Sequence, residues 1–121
     1  MSMNITLDMT KTAVAALEEK KGEDIRIIDI RDISPIADYF ILANGGNRNQ
    51  VQAMADEVEE QMQKMGHALK QVEGYSTANW ILMDYSDIVV HIFDRESRSF
   101  YDLERIWRDG NHMDADELKA N

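Results

Sequence analysis

The chain has 121 residues and a mass of 13.9 kDa, a length that suits one folded domain around one hydrophobic core. It carries 13 basic and 23 acidic residues, which gives a formal net charge of −10. Because proteins bind nucleic acids largely by neutralising phosphates with Lys and Arg, this charge disfavours direct binding to DNA or RNA. The acidic surplus suits a basic protein partner or serves solubility alone, and composition does not separate the two.

The chain contains no cysteine, which excludes a disulfide framework, a thiolate nucleophile and a Cys-based zinc site. The N-terminal segment lacks the pattern of a secretory signal or an organelle transit peptide. No apolar run approaches the length of a membrane span. We therefore expect a cytoplasmic protein.

Hydrophobic periodicity and turn residues predict helices within residues 7–21, 47–66 and 96–110. Short β-branched and aromatic runs predict strands at 24–30, 37–43, 68–72, 79–85 and 88–93. The predicted order is αββαβββα, an α/β (α+β) fold with a five-stranded mixed sheet and about three helices. We expect one domain over residues 1–110 and a flexible acidic tail over residues 111–121, because the tail has few apolar residues to bury.

The third predicted helix places four large apolar residues on one face before Gly110, namely Phe100, Leu103, Ile106 and Trp107. In strand 79–85, side chains alternate between the two faces of the sheet. One face receives Trp80, Leu82 and Asp84, and the other receives Ile81, Met83 and Tyr85.

Both faces of this strand therefore carry large apolar residues, and three helices are few for five strands. We expect a partly uncovered apolar patch, with burial of Trp80 in the core as the alternative. Exposed Trp and Tyr are typical of protein interfaces, because they bury much area at low entropic cost. The sequence thus favours a protein-binding surface on this sheet.

Motifs for catalysis are weak. Gly45 and Gly46 lie between a strand and a helix, where backbone amides can hold a phosphate, but they match no nucleotide-binding fingerprint and also suit a simple turn. The D-x-D pair needed for two-metal chemistry occurs only at Asp114 and Asp116, in the predicted tail. We expect no enzyme activity, no metal and no cofactor. The alternative is a nucleotide-binding enzyme that uses the two glycines with Asp29 or Asp32.

His91 lies in a predicted strand between Val90 and Ile92. The three histidines of the chain show no metal-ligand spacing. A structural histidine is therefore favoured over a catalytic base at position 91.

Two stretches, "DISPIADYFILANGGNRNQVQAMADEVEE" and "EGYSTANWILMDYSDIVVHIFDRESRSFYDLERIW", resemble the Iojap family of ribosomal silencing factors. The resemblance runs from Leu7 to Trp107 in the expected order and spacing. It implies a fold related to nucleotidyltransferases but without their catalytic carboxylates. It also implies binding to ribosomal protein L fourteen on the large ribosomal subunit, which sterically prevents the small subunit from joining and so represses translation. In organelles, relatives assist assembly of the large subunit.

For this function we expect Trp80 to act as an apolar anchor, with acidic side chains pairing with Lys or Arg of the partner. The candidate partner-binding residues are Glu73, Tyr75, Trp80, Leu82, Asp84, Tyr85, His91, Arg98 and Tyr101. Because successive strand residues face opposite ways, Trp80 and Tyr85 are not both expected to reach one partner. The same patch predicts a weak homodimer. Sequence alone does not separate silencing from an assembly role.

Overall fold

The computed structural model describes residues 5–120 of the chain, which form six strands and five helices. The helices are α1 (Ile5–Glu19), α2 (Arg48–Lys64), α3 (Arg95–Tyr101), α4 (Leu103–Ile106) and α5 (Ala115–Lys119). The strands are β1 (Glu23–Asp29), β2 (Tyr39–Gly45), β3 (Gln71–Glu73), β4 (Trp80–Asp84), β5 (Ile88–Asp94) and β6 (Asn111–Asp114). The predicted mixed-sheet α+β class is confirmed, whereas five strands and three helices are each too few.

The strands lie in the order β3-β4-β5-β2-β1-β6. The central pair, β2 and β5, is parallel, and every other neighbouring pair is antiparallel. The crossover from β2 through α2 carries β3 to the edge of the sheet, with β4 and β5 between it and β2.

One face of the sheet is covered by α1 and α2, which pack against each other and enclose the larger core. The helical spacing predicted for α2 is confirmed, with Val51, Met54 and Val58 fully buried. Asn47 caps this helix, because its side chain accepts a hydrogen bond from the backbone N–H of Gln50 at 2.8 Å. Within residues 5–120, no helix is both long and apolar enough to cross a membrane.

The opposite face carries a smaller core beneath α3 and α4. The single helix predicted here is wrong, because Asp102 adopts a left-handed backbone conformation and separates α3 from α4. Leu103 is buried after this break, but Phe100 and Ile106 are 78% and 61% exposed. The predicted common face of these residues is therefore wrong, because the break at Asp102 separates Phe100 from Leu103, and Ile106 is exposed although it lies in the same short helix as Leu103.

The predicted flexible tail is also wrong for residues 111–120, which form β6 and α5. β6 pairs with β1, and this register places Met113 opposite Ile27. A capping box between Asp114 and Glu117 starts α5, which brings Leu118 into the larger core with no exposed surface. Pairing with β1 and the packing of Met113 and Leu118 on the larger core thus order the segment. Residues 1–4 and 121 lie outside the described residues.

We predict that Leu118→Ala lowers the free energy of unfolding by about 2–4 kcal/mol, because it removes a fully buried side chain and leaves a cavity. Ile106→Ala, at an exposed position of α4, is the control and should change stability by less than about 0.5 kcal/mol. Urea denaturation of both variants measures the difference. Equal stability of the two variants would show that α5 contributes nothing to the core.

Candidate functional site

The sheet face opposite α1 and α2 is covered only over its centre. α3 packs against β5 and β2 but leaves the β4 and β3 side open. The partly or fully exposed residues on that side, which we call the open face, are Gln71, Glu73, Trp80, Leu82, Asp84 and Val89. The predicted alternation along β4 is confirmed, since Ile81 and Met83 are buried beneath the helices. A partly uncovered apolar patch thus lies on β4, where the sequence pattern of residues 79–85 predicted one.

An aromatic cluster connects the open face to α3. Trp80 stacks on Phe93, its cross-strand neighbour, with ring centroids 5.2 Å apart. Tyr101 lies against Trp80 at 4.6 Å, and Phe100 meets Tyr101 edge to face at 5.1 Å. Trp80 is therefore held between the sheet and α3, while the exposed Phe100 projects from the margin of the same surface.

A hydrogen bond fixes the polar atom of Trp80. Its indole Nε1 donates to Nδ1 of His91 at 3.0 Å. The His91 ring is 3% exposed and contacts Phe40 and Phe93. Burial in this aromatic setting lowers the pKa of His91 to about 3, so the ring is neutral at physiological pH. His91 is thus buried and structural, as favoured from sequence, and offers almost no surface to a partner.

His91 is buried at a cost. Its second ring nitrogen, Nε2, is buried without a hydrogen-bond partner. An unpaired buried polar group of this kind costs roughly 1–3 kcal/mol. An apolar residue of similar size at position 91 would avoid this cost. What such a residue could not provide is the hydrogen bond that Nδ1 of His91 accepts from Trp80.

Acidic side chains border the open face on the β3 side. Glu73 lies opposite Leu82 in the antiparallel ladder and therefore points to the same face as Trp80. Asp84 is half-buried at the far end of β4, where its side chain accepts a hydrogen bond from the backbone N–H of Ser86 at 2.7 Å.

Gly74 ends β3 with a φ of +80°, and a Cβ at this position would collide with the carbonyl oxygen of Trp80.

The structure removes two tyrosines from the predicted surface. Tyr85 is buried on the opposite face, where desolvation raises the pKa of its phenol to about 12. Tyr75 turns towards α2 and donates its hydroxyl to Asp56 at 2.9 Å. Strand alternation explains the position of Tyr85, and the turn at Gly74 redirects the chain before Tyr75.

Arg98 is also removed from the predicted surface, because its side chain is buried in an internal polar network. It donates to Asn44 at 2.9 Å and pairs with Glu104 at 2.7 Å. Burial alone would raise the pKa of Glu104, but the hydrogen bonds and charge of Arg98 outweigh it and hold that pKa below its usual range. Asn44 in turn donates to Glu23, which pairs with Arg95. The network ties α3 and α4 to β1 and β2.

The residues of the alternative nucleotide-binding site, the two glycines and Asp29, lie far apart in the structure. The backbone N–H of Gly46 already donates to the side chain of Gln50 at 2.7 Å, and Arg95 lies over this glycine. Asp29 pairs with Arg31 at 2.6 Å beside the first residue of β2, whereas Gly45 is the last residue of that strand. Six residue steps along a strand are roughly 20 Å. The structure therefore does not bring these glycines and aspartates together.

Sequence reasoning missed Phe100 as an exposed residue. The signal was Asp102, because Asp tolerates the left-handed conformation better than most residues and favours helix termini over helix interiors. Assigning a helix break there separates Phe100 from the inward face that contains Leu103. Val89 lies on the same face as His91, but nothing in the sequence marked it as uncovered.

The fold and the open face together define a small α+β protein whose sheet is covered by two long helices on one side and only partly covered by short helices on the other. The family model described as "Ribosomal silencing factor during starvation" matches residues 4–121. The chain belongs to this family, and its sequence resemblance to Iojap proteins is confirmed.

Individual relatives agree. "Ribosomal silencing factor RsfS" from Bacillus subtilis is 42% identical over 106 residues, covering 88% of this chain and 90% of that protein. A crystal structure of a protein from Chromobacterium violaceum superposes with a TM-score of 0.81 at 33% identity, covering 83% of each chain. "Mitochondrial assembly of ribosomal large subunit protein 1" from Mus musculus is 27% identical over 101 residues, covering 78% of this chain and 42% of that protein.

We predict that protonation of His91 dominates the loss of stability in mild acid. The unfolded chain binds a proton at this residue below about pH 6.5, whereas the folded chain does so only near pH 3. The stabilising contribution is therefore present above pH 6.5 and declines as the pH falls, by about 2 kcal/mol between pH 7 and pH 5. Urea denaturation across this range measures the decline.

His91→Leu should remove most of this pH dependence, while the control His67→Gln, between α2 and β3, should leave it unchanged. A His91→Leu variant that loses stability between pH 7 and pH 5 as steeply as the original chain would contradict the assignment.

Proposed function

We propose that this protein binds the large ribosomal subunit through its open face, contacts ribosomal protein L fourteen there, and sterically prevents the small subunit from joining. Membership of the silencing-factor family supports the ribosome as the target. The observation that carries the proposal is the half-covered sheet face, where Trp80, Leu82 and Val89 remain accessible beside the exposed Phe100 and Tyr101. Surfaces of this composition are typical of protein interfaces.

Charge supports a basic partner. Glu73 and Asp84 lie on the same sheet face as Trp80, and the whole chain carries a net charge of −10. Opposite charge on a ribosomal protein would steer the encounter and fix the orientation of docking, while the apolar centre would provide most of the affinity. An acidic rim around an aromatic centre therefore suits a protein component of the ribosome better than its phosphate backbone.

The proposed mechanism is occlusion, which requires no reacting group. A folded domain seated on the joining surface of the large subunit occupies space that the small subunit needs. The degree of inhibition then depends on how long the protein stays bound, and therefore on the contacts buried in the interface. Trp80 forms the floor of the contact rather than a projecting anchor, because Tyr101 packs against it. Phe100 and Tyr101 project and would enter the partner's surface.

An assembly role on the large subunit uses the same surface and is the second candidate, favoured by the name of the mouse relative. The two roles differ in which particle the protein meets. We place the action in the cytoplasm, where a bacterial ribosome would be encountered.

We predict that wild-type protein sediments with isolated large subunits and not with small subunits. Trp80→Ala should weaken this binding about 30-fold or more, corresponding to about 2 kcal/mol, because it removes the floor of the contact and the support of Tyr101. Tyr75→Phe, on the α2 side, is the matched aromatic control and should bind normally. Light scattering of subunit joining then tests occlusion directly.

Asp84→Asn and Glu73→Gln should reduce the association rate and its salt dependence more than the dissociation rate. If a folded Trp80→Ala variant bound large subunits as tightly as the wild type, the open face would not be the binding surface. If the wild-type protein bound neither subunit, the ribosome would not be its target.

We also predict weak self-association through the same face, since exposed apolar surface is costly to leave in water. Analytical ultracentrifugation across the micromolar range should show a mass that rises with concentration. Phe100→Ser should shift this equilibrium towards monomer, because Phe100 is 78% exposed and contributes contact area without core packing. One constant monomer mass for the wild type would contradict the prediction.

A further inference from the structure

His91 is the only candidate residue on this sheet face that is buried and yet bonded directly to the open face, within the part of the chain that the structure describes. We propose that His91 is a positioning residue: its unprotonated Nδ1 accepts the indole N–H of Trp80 and fixes the ring, so that the open face presents only apolar carbon at its centre. The inference rests on the proposed function for its binding consequence, while its geometric part can be tested without a ribosome.

The bond runs diagonally between two strands. Trp80 lies directly opposite Phe93, and His91 lies directly opposite Leu82. The indole must therefore lean along β4 towards His91 to place Nε1 at 3.0 Å from Nδ1. In this orientation the indole ring stacks on Phe93 with an interplanar angle of 30°. A rotated indole would lose both contacts, so the hydrogen bond selects one orientation of Trp80.

The tautomer of His91 follows from the same geometry. Nδ1 accepts the indole proton, so the imidazole proton is on Nε2, which is buried without a partner. Protonation would add a hydrogen to Nδ1 and abolish the bond, and burial keeps the ring neutral. A residue retained only for packing would carry no such unpaired N–H, because an apolar side chain fills the same space without one. Nδ1 is therefore the functional atom of His91.

This arrangement constrains the partner. The indole N–H is the one polar group of the Trp80 side chain, and His91 already satisfies it. The partner need not supply an acceptor at the centre of the contact, and an acceptor placed there would be left unpaired. The open face thus suits a partner protein whose contact surface has an apolar patch opposite Trp80 and basic side chains opposite Glu73.

Three substitutions distinguish the role of Nδ1 as a hydrogen-bond acceptor from the packing of the His91 ring. His91→Asn places an amide oxygen where Nδ1 stands, His91→Leu has a similar shape without an acceptor, and His91→Gln places its amide one bond farther away. In ¹H–¹⁵N NMR spectra the indole N–H of Trp80, assigned by Trp80→Phe, should exchange slowly in the wild type and in His91→Asn. It should shift and exchange quickly in His91→Leu and His91→Gln, while the Trp107 indole serves as the internal reference.

Affinity for isolated large subunits is the second readout. We expect His91→Leu to bind about tenfold more weakly, without a lower urea midpoint at pH 7, and His91→Asn to stay within threefold of the wild type. A purely structural histidine would instead give binding losses that follow losses of stability. An unchanged Trp80 indole signal in His91→Leu would overturn the hydrogen bond, and wild-type affinity with an altered signal would overturn the positioning role. Failure of the wild type to bind would refute the proposed function while the indole signals still decide the geometry.

Discussion

The central strands impose the main constraint on this fold. β2 is buried at all seven of its positions, and β5 is buried at five of seven. A parallel pair buried on both faces requires cover on both sides of the sheet. The long helices α1 and α2 provide it on one side, but only the short helices α3 and α4 are available on the other. Their limited length leaves β4 half covered, and the open face is the direct result.

The parts of the fold that follow a regular period were predictable. α2 shows its apolar face over seventeen residues, and the alternation along β4 assigns each side chain to a face of the sheet. β6 was not predictable, because four residues are too few for a period and its pairing with β1 is distant in sequence. The break at Asp102 was missed because the apolar spacing continues through it, although the helix does not.

The candidate site was predictable in part. Trp80, Leu82 and Glu73 share the face that their strand positions imply. Arg98 and His91 are buried, and no sequence pattern distinguishes a polar residue that meets a partner from one whose partner lies within the same chain. That distinction depends on contacts between separate elements, from β4 to His91 and from β2 to Arg98, which arise only in three dimensions. The acidic rim and the aromatic centre are thus available from sequence, and the hydrogen bond that orients the centre is not.

The short edge strand has a further consequence, for aggregation. An apolar surface beside a free sheet edge is a hazard, because unpaired backbone groups can recruit a strand from another molecule. β3 is only three residues long and all three are exposed. Gly74 ends it with a φ of +80°, and a Cβ at this position would collide with the carbonyl oxygen of Trp80. This edge therefore offers only a short ladder to another strand, which limits edge-to-edge pairing beside the exposed apolar side chains of the open face.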